Sequence, residues 1–137
     1  MIDDTRRPRP VLNSIAPHLY VADVAASCRY YVEMLGFNHD FTYGEPAFYA
    51  QLSRDEARFA VRFVGERVFA ADVREREHLL SASITVATAD EIDALYATYR
   101  DAGVRFHQRL ETQPWGARDF VIADPDGNLI LFAGPDA

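Results

Sequence analysis

The chain's only imidazoles are His18, His39, His78 and His107, and its only thiol is Cys28. These are the side chains from which proton transfer or metal ligation near neutral pH would start. His18 lies in an alternating stretch, residues 14–21, on the same face as Ala16 and Tyr20. It could do acid–base work there with Arg62 as the electrophile. The blander role is that of a hydrogen-bonded pocket residue, the more frequent fate of a lone strand histidine. Cys28 falls inside a helical pattern with nothing to mark it as activated, so no nucleophile–base pairing is visible. His39 and His107 follow two helical segments at equivalent places, and His78 sits in a charged connector.

The elements that must position these groups follow from periodicity. Residues 14–21 alternate, with Ile15, Pro17, Leu19 and Val21 on one face, and predict a strand. Asp23 is placed to cap a helix over residues 24–35, where Val24, Tyr31, Met34 and Leu35 recur at helical spacing and Gly36 stops it. Three short strands are expected at 37–43, 47–53 and 58–64. The pattern restarts after the charged stretch 65–80, part of which is expected to be helical. A strand is expected at 81–88, with Ala82, Ile84 and Val86 opposite Ser81, Ser83 and Thr85. A helix over 91–102 carries Ile92, Leu95, Tyr96 and Tyr99 and ends at Gly103, and strands at 104–109, 117–123 and 128–133 follow. Between the last two, Asp124-Pro125-Asp126-Gly127 spells a tight turn, with Gly127 supplying its positive φ. The βαβββ order therefore occurs twice, and Gly36 and Gly103 stand about half a chain apart, which suggests a diverged internal duplication.

Composition bounds the function. A chain of 137 residues, 49% of them hydrophobic, can bury a sizeable core within one domain. The expected layout is a loose arm at 1–12, module one at about 13–64, a connector at 65–80 and module two at about 81–134. The net charge of −7 argues against nucleic acid or an anionic membrane as partner. One cysteine excludes an intrachain disulfide framework and a cysteine-cluster zinc site. With no apolar run near the roughly 18 residues of a membrane span, a cytoplasmic protein is expected.

Three stretches carry a family resemblance: VADVAASCRYYVEMLGF (residues 21–37), Pro114-Trp115-Gly116 and DPDGNLILF (residues 124–132). In this order they resemble the vicinal oxygen chelate superfamily, the glyoxalase, bleomycin-resistance and extradiol dioxygenase group. The resemblance implies an α+β fold in which two tandem βαβββ modules form a cupped, barrel-like mixed sheet with helices outside. It also implies a homodimer that covers the open sheet face. The family's enzymes chelate a divalent metal from four strand positions, which fall here on Ala16, Arg62, Ser81 and Leu131. Alanine and leucine offer no donor, and a guanidinium stays protonated and repels a cation. A rebuilt site would need His18 with carboxylates such as Glu56 or Asp119 converging on it.

The reading closest to these residues is the metal-free, bleomycin-resistance-like branch, with no cofactor, binding a small molecule in the cup. Its concave faces are expected to present His18, Tyr20, Phe48 or Tyr49, Arg58 and Arg62 from module one. Module two should add Ser83, Thr85, Trp115, Asp119 and Leu131. This is aromatic surface with a few polar anchors, suited to an aromatic or peptidic antibiotic or metabolite. Arg62 has an alternative as the ion-pair partner of Asp119 or Glu45. The other class is an enzyme: a divalent-metal-dependent lyase, isomerase or dioxygenase. Ala16 and Leu131 favour binding over it.

Overall fold

A computed structural model describes residues 7–67 and 71–137 of the chain. Residues 1–6 of the expected arm and 68–70 of the expected connector lie outside the described residues. The first half runs β1 (His18–Val21), α1 (Val24–Glu33), β2 (Asn38–Tyr43), β3 (Tyr49–Arg54) and β4 (Ala57–Phe63). A short helix, α2 (Ala71–Arg76), follows. The second half repeats the order as β5 (Ala82–Thr85), α3 (Ala89–Asp101), β6 (Phe106–Thr112), β7 (Ala117–Ala123) and β8 (Leu129–Pro135).

Each half makes one four-stranded mixed sheet, in the orders β1-β4-β3-β2 and β5-β8-β7-β6. The first strand pairs parallel with the last of its own module, and the other pairs are antiparallel. The architecture is α+β and cupped, but the two sheets do not close into a barrel.

Local chemistry explains the helix ends. Asp23 Oδ1 accepts the Ala26 N–H at 3.0 Å and caps α1. Thr88 Oγ1 accepts the Glu91 N–H at 3.1 Å and donates to the Glu91 carboxylate at 3.0 Å, capping α3, which begins two residues before the expected Glu91. The chain leaves the two helices through Gly36 (φ +77°) and Gly103 (φ +82°), conformations that cost a side-chain-bearing residue about 1 kcal/mol or more.

Helices cover one face of each sheet. Val24, Cys28 and Tyr31 of α1 pack on Leu19, Val21, Ala50, Leu52, Phe59 and Val61. Ile92 and Tyr99 of α3 pack on Phe120, Ile122, Ile130 and Phe132. These residues form one continuous cluster across both modules. Polar clasps join the halves: Tyr99 Oη donates to the Leu35 carbonyl at 2.8 Å, and the Ala22 N–H donates to Asp126 Oδ1 at 2.8 Å.

Strand ends depart from the pattern where partners run out. The β1–β4 ladder begins at His18 and Ala60, although β4 itself starts at Ala57, and residues 14–17 lie outside the strand. Ile15, expected on one face with Leu19 and Val21, is 92% exposed where they are buried. β5 stops at Thr85 and not at residue 88, since its only partner is β8 and that pairing ends at Ala133. Among the described residues no helix is long and apolar enough to cross a membrane.

Candidate functional site

The faces turned away from the helices carry most of the residues expected to line the site. On sheet one, pairing register places His18 and Tyr20 of β1 beside Ala60 and Arg62 of β4, with Tyr49, Gln51 and Ser53 of β3 and then Phe41 and Tyr43 of β2. Their alternate neighbours Leu19, Val21, Ala50 and Val61 are the buried ones. The Arg62 guanidinium stands 4.9 Å from the centroid of the Phe48 ring, a cation–π arrangement. Among the described residues it makes no ion pair, so neither Asp119 nor Glu45 takes the alternative role. The His18 and Tyr49 rings lie 6.1 Å apart. Asp40 accepts from Gln51 Nε2 and Ser53 Oγ, bonds that hold its carboxyl below the ordinary range.

On sheet two the corresponding face carries Ser83 and Thr85 of β5, Leu129, Leu131 and Ala133 of β8, and Asp119, Val121 and Ala123 of β7. Val121, Ala123, Leu129 and Leu131 form an apolar floor separate from the main core. At its edge the Asp119 carboxylate is only 5% exposed. Gln108 Nε2 (2.7 Å) and Gln113 Nε2 (3.0 Å) both donate to its Oδ1. No ion pair to Asp119 occurs among the described residues. Trp115 is set apart from this floor: it sits at the tip of the β6–β7 turn, 73% exposed.

The two faces meet beneath the connector, which the sequence pattern did not place. Arg74 of α2 donates to Asn128 Oδ1 (3.2 Å) and to the Asp126 carbonyl (3.4 Å), laying the helix against the last turn. A cavity of ≈ 490 Å³ results, with Tyr20, Arg74, Glu75, Arg105, His107 and Asp126 among its walls. A second of ≈ 230 Å³ brings His18, Tyr20 and Ser81 together under Leu79 and Leu80.

Ala16 and Leu131 present no donor atom, Arg62 is committed to an aromatic ring, and Ser81 Oγ donates to Asn128 Oδ1 at 3.4 Å. Glu56 is exposed in the β3–β4 turn, and Asp119 lies on the other sheet from His18. Among the described residues no three His, Cys, Asp or Glu side chains gather to hold an ion. The residues expected at the family's chelating positions do not fit a divalent metal. Cys28 is buried, and burial pushes its thiol pKa up, away from nucleophilic use.

A family model described as the glyoxalase/bleomycin resistance protein/dioxygenase superfamily matches residues 11–132. The chain belongs to that superfamily. Bleomycin resistance proteins of Geobacillus stearothermophilus and Staphylococcus aureus are 29% identical over 130 residues, covering 89% of this chain and 96% of theirs. A superfamily member from Alicyclobacillus acidocaldarius superposes with a TM-score of 0.75 at 17% identity, covering 92% of this chain and 93% of that one. The bleomycin-binding protein of Streptomyces verticillus, solved with copper(II)-bleomycin, gives 0.67 at 22% identity, covering 90% and 97%. These superpositions carry the fold.

Two relationships within this superfamily fold were missed from sequence. One is the hydrogen bond between His78 and His107, 29 residues apart. The other is the buried Asp124–Tyr31–Asn128 network. No local pattern announces the first. The second carried a partial signal, since an Asp two residues before a turn N–H is a known backbone acceptor.

Proposed function

We propose that this superfamily member is a small-molecule-binding protein whose cup works without a metal ion, holding an aromatic or peptidic compound and sequestering it. What supports this is that Ala16, Arg62, Ser81 and Leu131 stand where the resemblance places the chelating residues of the family's enzymes, and that among the described residues no three His, Cys, Asp or Glu side chains gather to hold an ion. Methyl, isobutyl and cation–π surfaces bind rings and apolar groups; they do not activate a metal-bound oxygen.

The roles follow from the two faces. Tyr20, Tyr49 and Phe48 with Arg62 offer stacking surface on sheet one. Leu131 and its apolar neighbours receive a ligand's hydrophobic edge on sheet two, and Ser83 offers a hydroxyl. Asp119, a nearly buried carboxylate with amide partners only, is the anchor for a ligand's basic nitrogen, because a buried charge gains most from acquiring a counter-charge. His18 acts as a hydrogen-bonding wall. Trp115 reaches the ligand only where a second copy of the chain brings its own cup face opposite. The homodimer is therefore part of the proposal, supported by exposed Phe41, Tyr43, Phe63 and Trp115.

The test is a thermal-melt screen in EDTA against bleomycin and planar aromatic antibiotics, followed by calorimetry on any hit. A ligand that binds only the folded state raises Tm by mass action. Stoichiometric binding that persists in chelator supports the proposal. Binding or turnover that appears only on adding Mn²⁺, Fe²⁺ or Zn²⁺, and vanishes in His18→Ala, would point to the enzyme class instead.

A further inference from the structure

His78 Nδ1 and His107 Nε2 lie 2.7 Å apart, with ring centroids at 5.0 Å and planes tilted by 62°. Each ring is aimed by a backbone irregularity. His78 stands where α2 ends, at φ +54°, a left-handed conformation that favours glycine or asparagine. The closing bonds of that helix, Leu79 N–H to the Arg74 carbonyl and His78 N–H to the Glu75 carbonyl, hold it there. His107 sits at the bulge in β6, between Phe106 and Gln108, where the register with β7 shifts. A bulge redirects a side chain that regular pleating would have pointed elsewhere. Two departures from regular backbone thus converge on one pair of nitrogens, at the rim of the ≈ 490 Å³ cavity that His107 helps to line.

We propose that His78 and His107 form a two-imidazole site for a borderline first-row transition ion (Cu²⁺, Ni²⁺ or Zn²⁺), which staples the connector to β6 at the cavity mouth. The distances favour it. Two nitrogens about 2.0–2.1 Å from one ion stand about 2.9 Å apart at right angles, and about 3.3 Å apart at the tetrahedral angle. The rings must separate by a few tenths of an ångström and turn by about 35–45° in total aim, so that the facing lone pairs converge on the ion and not on each other. The ion takes the lone pair of each facing nitrogen: the ring that donated in the free pair shifts its proton to its own far nitrogen through solvent, the other ring already carries its proton there, and both stay neutral. No covalent or redox step is involved.

The surroundings tolerate the charge. Arg105, two residues before His107, has its guanidinium 3.7 Å from the Glu75 carboxylate, so its charge is partly offset on the spot. Arg74 points to Asn128 and the Asp126 carbonyl. With two protein ligands the ion keeps positions open for water or for a donor atom of a molecule in the cavity. This site is separate from the cup positions Ala16, Arg62, Ser81 and Leu131, and stands whether or not the cup reading does.

The experiment is calorimetric titration of untagged protein with Ni²⁺, Zn²⁺ and Cu²⁺, beside His107→Ala, His78→Gly, His18→Ala and His39→Ala. His78→Gly removes the ring while suiting the left-handed backbone, so it keeps the fold where alanine could fail. One equivalent should bind at micromolar concentration, weaken at least tenfold in His78→Gly and in His107→Ala, and persist in His18→Ala and His39→Ala. Cu²⁺ electron paramagnetic resonance should show coupling to two imidazole nitrogens. Absence of binding up to millimolar ion, or binding that survives loss of both rings, would overturn the assignment.

Discussion

Tyr31 Oη donates a 2.8 Å hydrogen bond to Asp124 Oδ2, joining the middle of α1 to the turn before β8 across 93 residues of sequence. Both groups are buried. Asp124 also accepts from Asn128 Nδ2 on Oδ2, and from the N–H groups of Asp126 and Asn128 on Oδ1. Burial pushes its carboxyl pKa up, and the bonds from Asn128 and Tyr31 pull against that rise. One carboxylate closes the last turn and clasps the two modules.

Asp124→Ala should therefore destabilise the protein by about 2–4 kcal/mol, because it strands four donors in the interior. Tyr31→Phe removes one of them and should cost about 1–2 kcal/mol. Urea denaturation of both variants measures this. Equal, small losses would mean that the clasp is not a single unit.

Alkaline pH should weaken the fold through its buried phenols. Burial raises the pKa of Tyr31 and Tyr30, and that of Tyr99 up to about 12. A phenol held neutral by the fold stabilises it fully below the unfolded value of about 10, and that stability is lost as pH rises through it toward 12. Tm should fall over that window, and the tyrosinate absorbance of Tyr99 should appear late or together with unfolding.

Gly134→Val should loosen module two. A Cβ at Gly134 would lie 3.1 Å from both Ile92 Cβ and Val86 Cγ2, between β8 and α3. Overpacking of this kind costs about 1–3 kcal/mol. A thermal melt of the variant unchanged from the parent would show that α3 moves aside freely.

Assembly is tested at the exposed sheet face. Tyr43 is 71% exposed on β2 beside half-exposed Phe41. Sedimentation should show a dimer at micromolar concentration, and Tyr43→Glu should shift it toward monomer while its circular dichroism is retained. A parent protein that sediments as a monomer would remove the second copy, and with it the ligand contact assigned to Trp115.

Ligand capture should divide by face. Once a ligand is found in chelator, Arg62→Ala should weaken any aromatic compound by about 1 kcal/mol or more through the lost cation–π platform. Asp119→Asn should weaken basic compounds selectively, and calorimetry against charged and neutral analogues of one ring system separates the two effects. Equal weakening of both analogues by Asp119→Asn would deny the carboxylate its anchoring role.

The repeated βαβββ order, the caps at Asp23 and the turn at Asp124–Gly127 were legible in the residues because each depends on neighbours within a few positions. Period-2 and period-3.6 patterns select strand and helix locally, and Asp, Pro and Gly act on their own backbone. The shared face of His18 and Tyr20 came from the same alternation, while Arg62 and Leu131 were placed by the family resemblance. What alternation could not supply was where strands end, since Ile15 continues the pattern yet lies outside the β1–β4 ladder and is exposed. Nor could it supply which distant side chains meet. The placement of α2 over the cavity, the burial of the Asp119 carboxylate between two glutamine amides and the facing rings of His78 and His107 rest on contacts that no local pattern announces. Such contacts depend on register, on a bulge and on one left-handed residue, and these are decided only when the whole chain packs.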